Sequence, residues 1–228
     1  MLTIEKTVLP SPEQWEIIIE GLRNPMNSWD KMDSRMGCNE MSCKECEYRM
    51  ECSNEYDSKP YKIGDNDLGL MQKLAKGGAV HAKYRRMIPV YVTINAPLYW
   101  WKEMDRYRVG VEMNSCSTMH KIHSKEFTLD DFSYEHLSDY SREVLVNMIR
   151  FFNHHRDNFI ATKDKHWWWQ MIQMLPTSYN QKRTVMLNYE VLVGIYRWRK
   201  DHKLDEWHTF CDWIEGLPYS ELITGSES

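Results

Sequence analysis

Residues 97–120 read P-L-Y-W-W-K-E-M-D-R-Y-R-V-G-V-E-M-N-S-C-S-T-M-H, and the fold class turns on them. An apolar, aromatic-rich run ends abruptly in Arg106-Tyr107-Arg108. A glycine follows, then a dense set of small hydrogen-bonding groups: Asn114, Ser115, Cys116, Ser117, Thr118 and His120. Two guanidiniums with Asn and Ser donors nearby suit a phosphorylated, amide-bearing ligand such as a nucleotide or a flavin. A solvated loop after a helix is the plainer alternative, and local chemistry leaves both open.

Upstream, residues 87–96 (M-I-P-V-Y-V-T-I-N-A) alternate and are β-branched, which predicts the best strand in the chain. Pro97 then starts a helix that delivers Arg106 and Arg108. His81 stands among Lys83, Arg85 and Arg86 just before that strand: a lone histidine is usually incidental, and one set among three cations is an anion-site candidate. Further back, residues 65–77 read as a short helix, and residues 12–23 as a helix capped by Ser11 with Pro12 in its first turn. Residues 2–9 suit an edge strand.

Between these lie Cys38, Cys43, Cys46 and Cys52, four of the six cysteines within fifteen residues. In a cytosolic protein such a cluster points to metal rather than disulfides. Four thiolates close a tetrahedral shell around zinc. The first three also share the C-x4-C-x2-C spacing of plant-type iron–sulfur proteins, and a cluster without metal is the third option.

Downstream, Thr128-Leu-Asp-Asp131 resembles a capping signal, and residues 141–155 and 164–174 read as helices, the second Trp-rich and stopped by Leu175-Pro176. Residues 178–201 are apolar almost all round and are read as one long buried helix. Gln181, Asn188 and Arg199 would fall within about 40° of one another on it, a polar line spanning roughly 27 Å. Hydrogen bonds to neighbouring helices are the alternative account of that line. A last helix is expected near 203–215.

The chain has 228 residues and a formal charge of −4, which fits one domain over residues 1–228 and argues against general nucleic-acid coating. Ten Trp, thirteen Tyr and fifteen Met suit flat ligands, a Trp-rich core or a large subunit interface. The opening M-L-T-I-E-K carries no long apolar run, and no window approaches a membrane span, so a cytoplasmic location is expected.

Together the strand, the helix ending in Arg-x-Arg and the late Asn and Arg resemble the flavin-dependent thymidylate synthases. That family's signature runs R-H-R-x-x-S-x-N-E-x-S-x-R. Arg106-Tyr107-Arg108 takes the place of R-H-R, and with one residue inserted Asn114 and Ser117 match the N and the second S. Leu175-Pro176 matches the family's L-P step, Asn188 meets a flavin-binding Asn, and Arg199 meets the arginine that orients the pyrimidine. The family's central His is Tyr107 here, its first motif Ser is Val111, its Glu is Ser115, its last Arg is Met119, and an arginine before the L-P step falls on Ile172. The divergence gives the sequence the look of a phage-borne branch.

The resemblance implies an α+β fold, a central antiparallel sheet packed with helices, to which this chain would add a small four-cysteine metal-binding insertion over residues 37–53. It implies FAD held by Arg106, Tyr107, Arg108, Asn114 and Asn188, and a pyrimidine nucleotide held by Ser115, Ser117 and Arg199, the last also the catalytic residue; His81, in its basic surroundings, is the expected replacement for the anion contacts that the motif lacks. The implied reaction is reductive methylation of dUMP to dTMP, with methylenetetrahydrofolate and NADPH as co-substrates. The implied assembly is a homotetramer with shared active sites, in which Arg106 and Arg199 come from different subunits. The same fold acting on another pyrimidine or one-carbon group, and a catalytically inactive zinc-stabilised scaffold, are the other two readings.

Overall fold

The structure, a computed structural model, describes residues 1–36 and 61–225. Cys38, Cys43, Cys46 and Cys52, and with them the expected metal insertion, lie outside the described residues. Among the described residues no helix is long and apolar enough to cross a membrane, and no His/Cys/Asp/Glu group suited to a metal ion occurs.

The described chain divides into two compact units. The first comprises residues 1–7, 91–186 and 198–213. It carries nearly all of a four-stranded sheet in the order β1-β4-β6-β5, formed by β1 (Thr3–Val8), β4 (Pro89–Pro97), β6 (Asn180–Asn188) and β5 (Glu112–Ser115). As expected, β1 lies at a sheet edge. Strand β4 buries every second residue, Val90, Val92, Ile94 and Ala96, as its alternation dictates.

Pro97 supplies an extended residue at the start of helix α3 (Leu98–Met104), whose first two amides donate to the carbonyls of Tyr179 and Thr177. Trp100, Trp101 and Met104 are fully buried. Trp100 packs on Trp101, Trp207 and Phe210 with ring centroids 4.8, 4.8 and 5.6 Å away. Burying aromatics of this size contributes about 1.5–3 kcal/mol each, which fixes α3 in position. A second cluster of Phe127, Phe132, Phe152, Met171 and Tyr179 seats α4 (Asp139–Thr162) and α5 (Lys165–Met174). The capping box at Thr128 is present, with Asp131 returning the bond, although it closes only a short 3-10 turn. Of the three consecutive tryptophans on α5, Trp169 is exposed, in keeping with their spread round the helix.

The expected helix over residues 178–201 is corrected. Residues 180–188 form β6, and only Tyr189–Arg199 is helical, as α6. Leu175-Pro176 therefore leads into a strand, and Gln181, Asn188 and Arg199 do not form a line on one helix face. The reason is pairing: β5 supplies a ladder partner, with Glu112 opposite Met186 and Ser115 opposite Arg183. Gln181, Val185 and Leu187 then turn inward with period two. The polar stretch at 114–118, for which a solvated loop was one of two readings, thus begins as that partner strand.

The second unit comprises residues 8–90, 187–197 and 214–228. Helix α1 (Pro12–Arg23) forms where its cap signal predicts, with a full capping box between Ser11 and Gln14, and it buries Trp15, Ile18, Ile19 and Leu22. Two short strands, β2 (Arg35–Met36) and β3 (Tyr61–Lys62), pair antiparallel and lead into α2 (Asp65–Lys76). Asp33 accepts from the amides of Asn66 and Asp67, capping α2 from a distant part of the chain. A Cβ on Gly64 would lie 2.2 Å from the Asp33 carboxyl carbon, so any side chain here forces Asp33 to move. Helix α7 (Asp205–Glu215) and the short α8 (Glu221–Thr224) complete the fold.

Candidate functional site

Helix α3 and the turn after it carry the arginine motif. Arg106 and Arg108 are exposed, and Tyr107 is half-buried between them. Arg106 keeps 70% of its side-chain exposure and, among the described residues, meets Glu103, one helical turn back, at 3.5 Å. Arg108 Nε donates to the Asp105 carbonyl at 3.1 Å. Neither guanidinium is spent on the core.

Arg199, the last residue of α6, has the opposite character. Its side chain is 11% exposed, and it reaches the same turn. Nη1 pairs with Glu103 Oε2 at 2.9 Å, and Nε donates to the Tyr107 hydroxyl at 3.0 Å. Its Cζ sits 4.8 Å from the centroid of the buried Trp207 ring and 5.7 Å from that of Tyr107. Cation–π contact in a desolvated place adds on the order of 1–2 kcal/mol to such an arrangement. Tyr107, standing where the signature has His, is therefore the hydroxyl partner of Arg199. Within one chain Arg106 and Arg199 both meet the Glu103 carboxylate. Burial holds the His202 pKa below its ordinary value, and the Arg199 charge adds to that.

A second arginine was missed by sequence reasoning. Arg183, on β6, bonds Asp105 at 2.6 Å and Gln181 Oε1 at 3.0 Å, with its Cζ 4.3 Å from the Trp101 centroid. The buried Gln181 in turn donates to the Cys116 carbonyl. The available signal was a charged residue opposite Ser115 in a two-residue alternation, and the helical reading hid it.

Asn114 and Ser115 lie exposed on β5, an edge strand, and Ser117 accepts from the His120 amide in the turn beyond. Arg106, Arg108, Asn114 and Ser115 are thus each exposed, with few internal commitments among the described residues. That chemistry fits the phosphate and carbonyl oxygens of a flavin nucleotide. Ile172 packs against the apolar cluster on α5 and offers no charge.

The remaining two expected residues belong to the second unit. Asn188 accepts from the Val191 amide at 3.1 Å and so caps α6. His81 lines a groove of about 350 Å³ with Leu22, Leu74, Lys83 and Tyr84. Of its neighbouring cations, Lys83 and Arg86 are exposed, while Arg85 is buried and faces Glu190 at 3.7 Å.

No protein-family model matches the chain, and no curated protein matches it in sequence. Its structure does match solved ones. Thymidylate synthase X from Helicobacter pylori, solved with FAD and dUMP, superposes with a TM-score of 0.61 at 13% identity over 99% of this chain and 97% of that one. A second structure of the Helicobacter pylori flavin-dependent enzyme, also with FAD and dUMP, gives 0.59 at 13% identity, covering 100% and 99%. A UMP/dUMP methylase, PolB from Streptomyces cacaoi, bound with 5-Br dUMP, gives 0.53 at 12% identity, covering 99% and 94%. What the chain shares with these proteins over essentially its whole length is the fold: it resembles the flavin-dependent thymidylate synthases, with an antiparallel sheet packed by helices.

Proposed function

We propose that the protein is a flavin-dependent enzyme that methylates a pyrimidine nucleotide, converting dUMP to dTMP with methylenetetrahydrofolate as one-carbon donor and NADPH as reductant. The observation that carries this reading is Arg199, clamped by Glu103, Tyr107 and Trp207 beside the exposed Arg106-Tyr107-Arg108 turn. Arg199 keeps N–H groups for the pyrimidine carbonyl and N3, where negative charge grows as the base is activated. Arg106, Arg108 and Asn114 hold FAD oxygens. Ser115 and Ser117 contact the nucleotide. FAD, when bound, supplies the hydride chemistry. The chain's own task is to orient the base and exclude water.

The exposure of Arg106 and of β5 supports a shared site in a homotetramer, because a charged ligand there needs a second wall. Light scattering on the flavin-loaded protein tests that point: a stable monomer at full flavin occupancy refutes it.

The decisive experiment is to purify the protein, look for bound flavin by its visible absorbance, and assay dTMP formation from dUMP by chromatography. Flavin binding together with dTMP supports the proposal. A colourless protein that flavin cannot reconstitute sinks it and favours a scaffold. The same fold acting on another pyrimidine or one-carbon group is the second reading, and the UMP/dUMP methylase among the structural neighbours favours keeping it. A flavin-loaded protein that is inert towards dUMP would select it.

A further inference from the structure

Glu103 sits between two arginines. Oε2 meets Arg199 Nη1 at 2.9 Å, and Oε1 meets Arg106 Nη2 at 3.5 Å. The first contact is nearly three-quarters or more buried on both sides, while the second reaches solvent through Arg106. An exposed contact of that kind contributes little to stability. The Arg199 pair is different, because it lies over the buried Trp207 ring, in a setting where water screens charge poorly.

A guanidinium has five N–H groups. Tyr107 takes the Nε–H and Glu103 one Nη1–H. Among the described residues the second Nη1–H and both Nη2–H groups have no protein acceptor. What remains is a fixed fork of donors. Its charge is already balanced by the adjoining carboxylate. Such a fork suits a neutral carbonyl acceptor. It suits a phosphate poorly, since a dianion drawn to Arg199 also meets the Glu103 charge.

We propose that Glu103 is the positioning and specificity-determining residue of this site: it holds the Arg199 fork in one orientation and biases it toward an uncharged carbonyl group and against phosphate. The proposal rests on the reading of Arg199 as the group that addresses the pyrimidine. It names the part of the nucleotide that Arg199 takes and the residue that enforces the choice. The phosphate is left to the exposed cations outside the pair.

Glu103→Gln tests this, because amide and carboxylate have nearly the same shape and only the charge is lost. Calorimetric titration of wild type and variant, both flavin-loaded where flavin binds, uses two probes: deoxyuridine, which has the base without phosphate, and inorganic phosphate. In the variant, deoxyuridine affinity is expected to fall about tenfold while phosphate affinity rises severalfold, the two moving in opposite directions. A general loss of structure weakens both, so the opposite signs separate specificity from stability. Glu103→Asp, which keeps the charge, should restore the wild-type order of preference. Unchanged affinity for both probes, or a joint decrease in both, overturns the proposal.

If wild type binds neither deoxyuridine nor flavin, the functional reading falls, and the phosphate arm still decides the role of Glu103. Phosphate taken up by Glu103→Gln and lost again in Glu103→Gln/Arg199→Gln upholds charge balancing at Arg199. No uptake by Glu103→Gln refutes it.

Discussion

Two arginine–carboxylate pairs, one in each unit, look alike in distance and differ in every other respect. In the second unit Arg23 Nε meets Asp67 Oδ1 at 2.7 Å, with side chains 5% and 0% exposed. The other Asp67 oxygen accepts from the amides of Asp33 and Ser34 and from the Ser34 hydroxyl. That carboxylate is saturated, and Arg23 Nη2, which has no partner among the described residues, is sealed from solvent. In the first unit the Arg199–Glu103 pair is partly open and retains donors that no described residue uses. A saturated buried pair can only hold the fold together, whereas an unsaturated pair at a helix end can still take a ligand. The difference is one of unspent hydrogen-bonding capacity.

Asp67→Ala should therefore give the largest effect. It strands a buried guanidinium and frees three donors at once, so a loss of about 3–5 kcal/mol is expected from chemical denaturation. A midpoint shift under about 1 kcal/mol would show that the network is slack. The pair also has a pH signature. Burial alone would raise the Asp67 pKa, but the Ser34 hydroxyl, Arg23 and the Asp33 and Ser34 amides outweigh it and hold it below its ordinary value of 3.8. The stabilisation is thus fully present above that ordinary value and is lost as pH falls through the folded pKa. Acid denaturation of Asp67→Asn should lose this limb of the curve.

Arg199→Ala should reverse the pattern. Turnover is expected to vanish or fall by a factor of about 10²–10³ or more, the usual cost of deleting one charge-stabilising donor, while the protein stays folded. The check is a pair of measurements, dTMP formation and the thermal midpoint. Wild-type activity in this variant would remove Arg199 from the site. Equal damage to fold and activity would erase the distinction between the two pairs.

Much of this was legible beforehand, and the failures have a common cause. Helix α1 announced itself through Ser11-Pro12, and β4 through its alternation, because local chemistry and tertiary role agree there. Residues 178–201 misled because V-M-L-N-Y-E-V-L-V-G-I-Y is apolar across a boundary, and β6 and α6 each hide in it. Asn188 was the missed mark: an N-cap residue stood where the helix begins. Arg199 and the Arg106 turn were legible through the signature. Glu103, Arg183 and Trp207 were not, because what makes them part of the site is a distance across the fold rather than a spacing in sequence.

Gly64→Ala sharpens the saturated side at a smaller cost. The new Cβ would lie 2.2 Å from the Asp33 carboxyl carbon and 2.6 Å from the Asp33 backbone carbon, so a shift of the carboxylate alone does not relieve it. A loss of about 1–3 kcal/mol, typical of an overpacked site, should appear in the unfolding midpoint. Gly69→Ala is the control, since a Cβ there meets nothing within 4 Å and a helix interior favours alanine over glycine. Gly69→Ala should be neutral or slightly stabilising.

The smallest expected effect is on the open side, at His202. Its pKa is lowered first by burial and then by the positive charge of Arg199, with His208 and Lys203 acting in the same direction and Glu103 opposing them. A histidine whose folded pKa lies below its ordinary 6.5 stays neutral in the folded protein while the unfolded chain takes up a proton. Well above that ordinary value the two states carry the same proton count and His202 contributes no slope. As pH falls through it the unfolded state gains protons first, so stability declines until the folded pKa is reached and then levels off. His202→Gln should flatten this decline between about pH 7 and the folded pKa. Arg199→Ala should reduce it without removing it, because burial is the larger cause. Thermal midpoints measured across that window for the three proteins decide the point: an identical slope in wild type and Arg199→Ala would mean that the Arg199 charge, already balanced by Glu103, does not reach His202 at all.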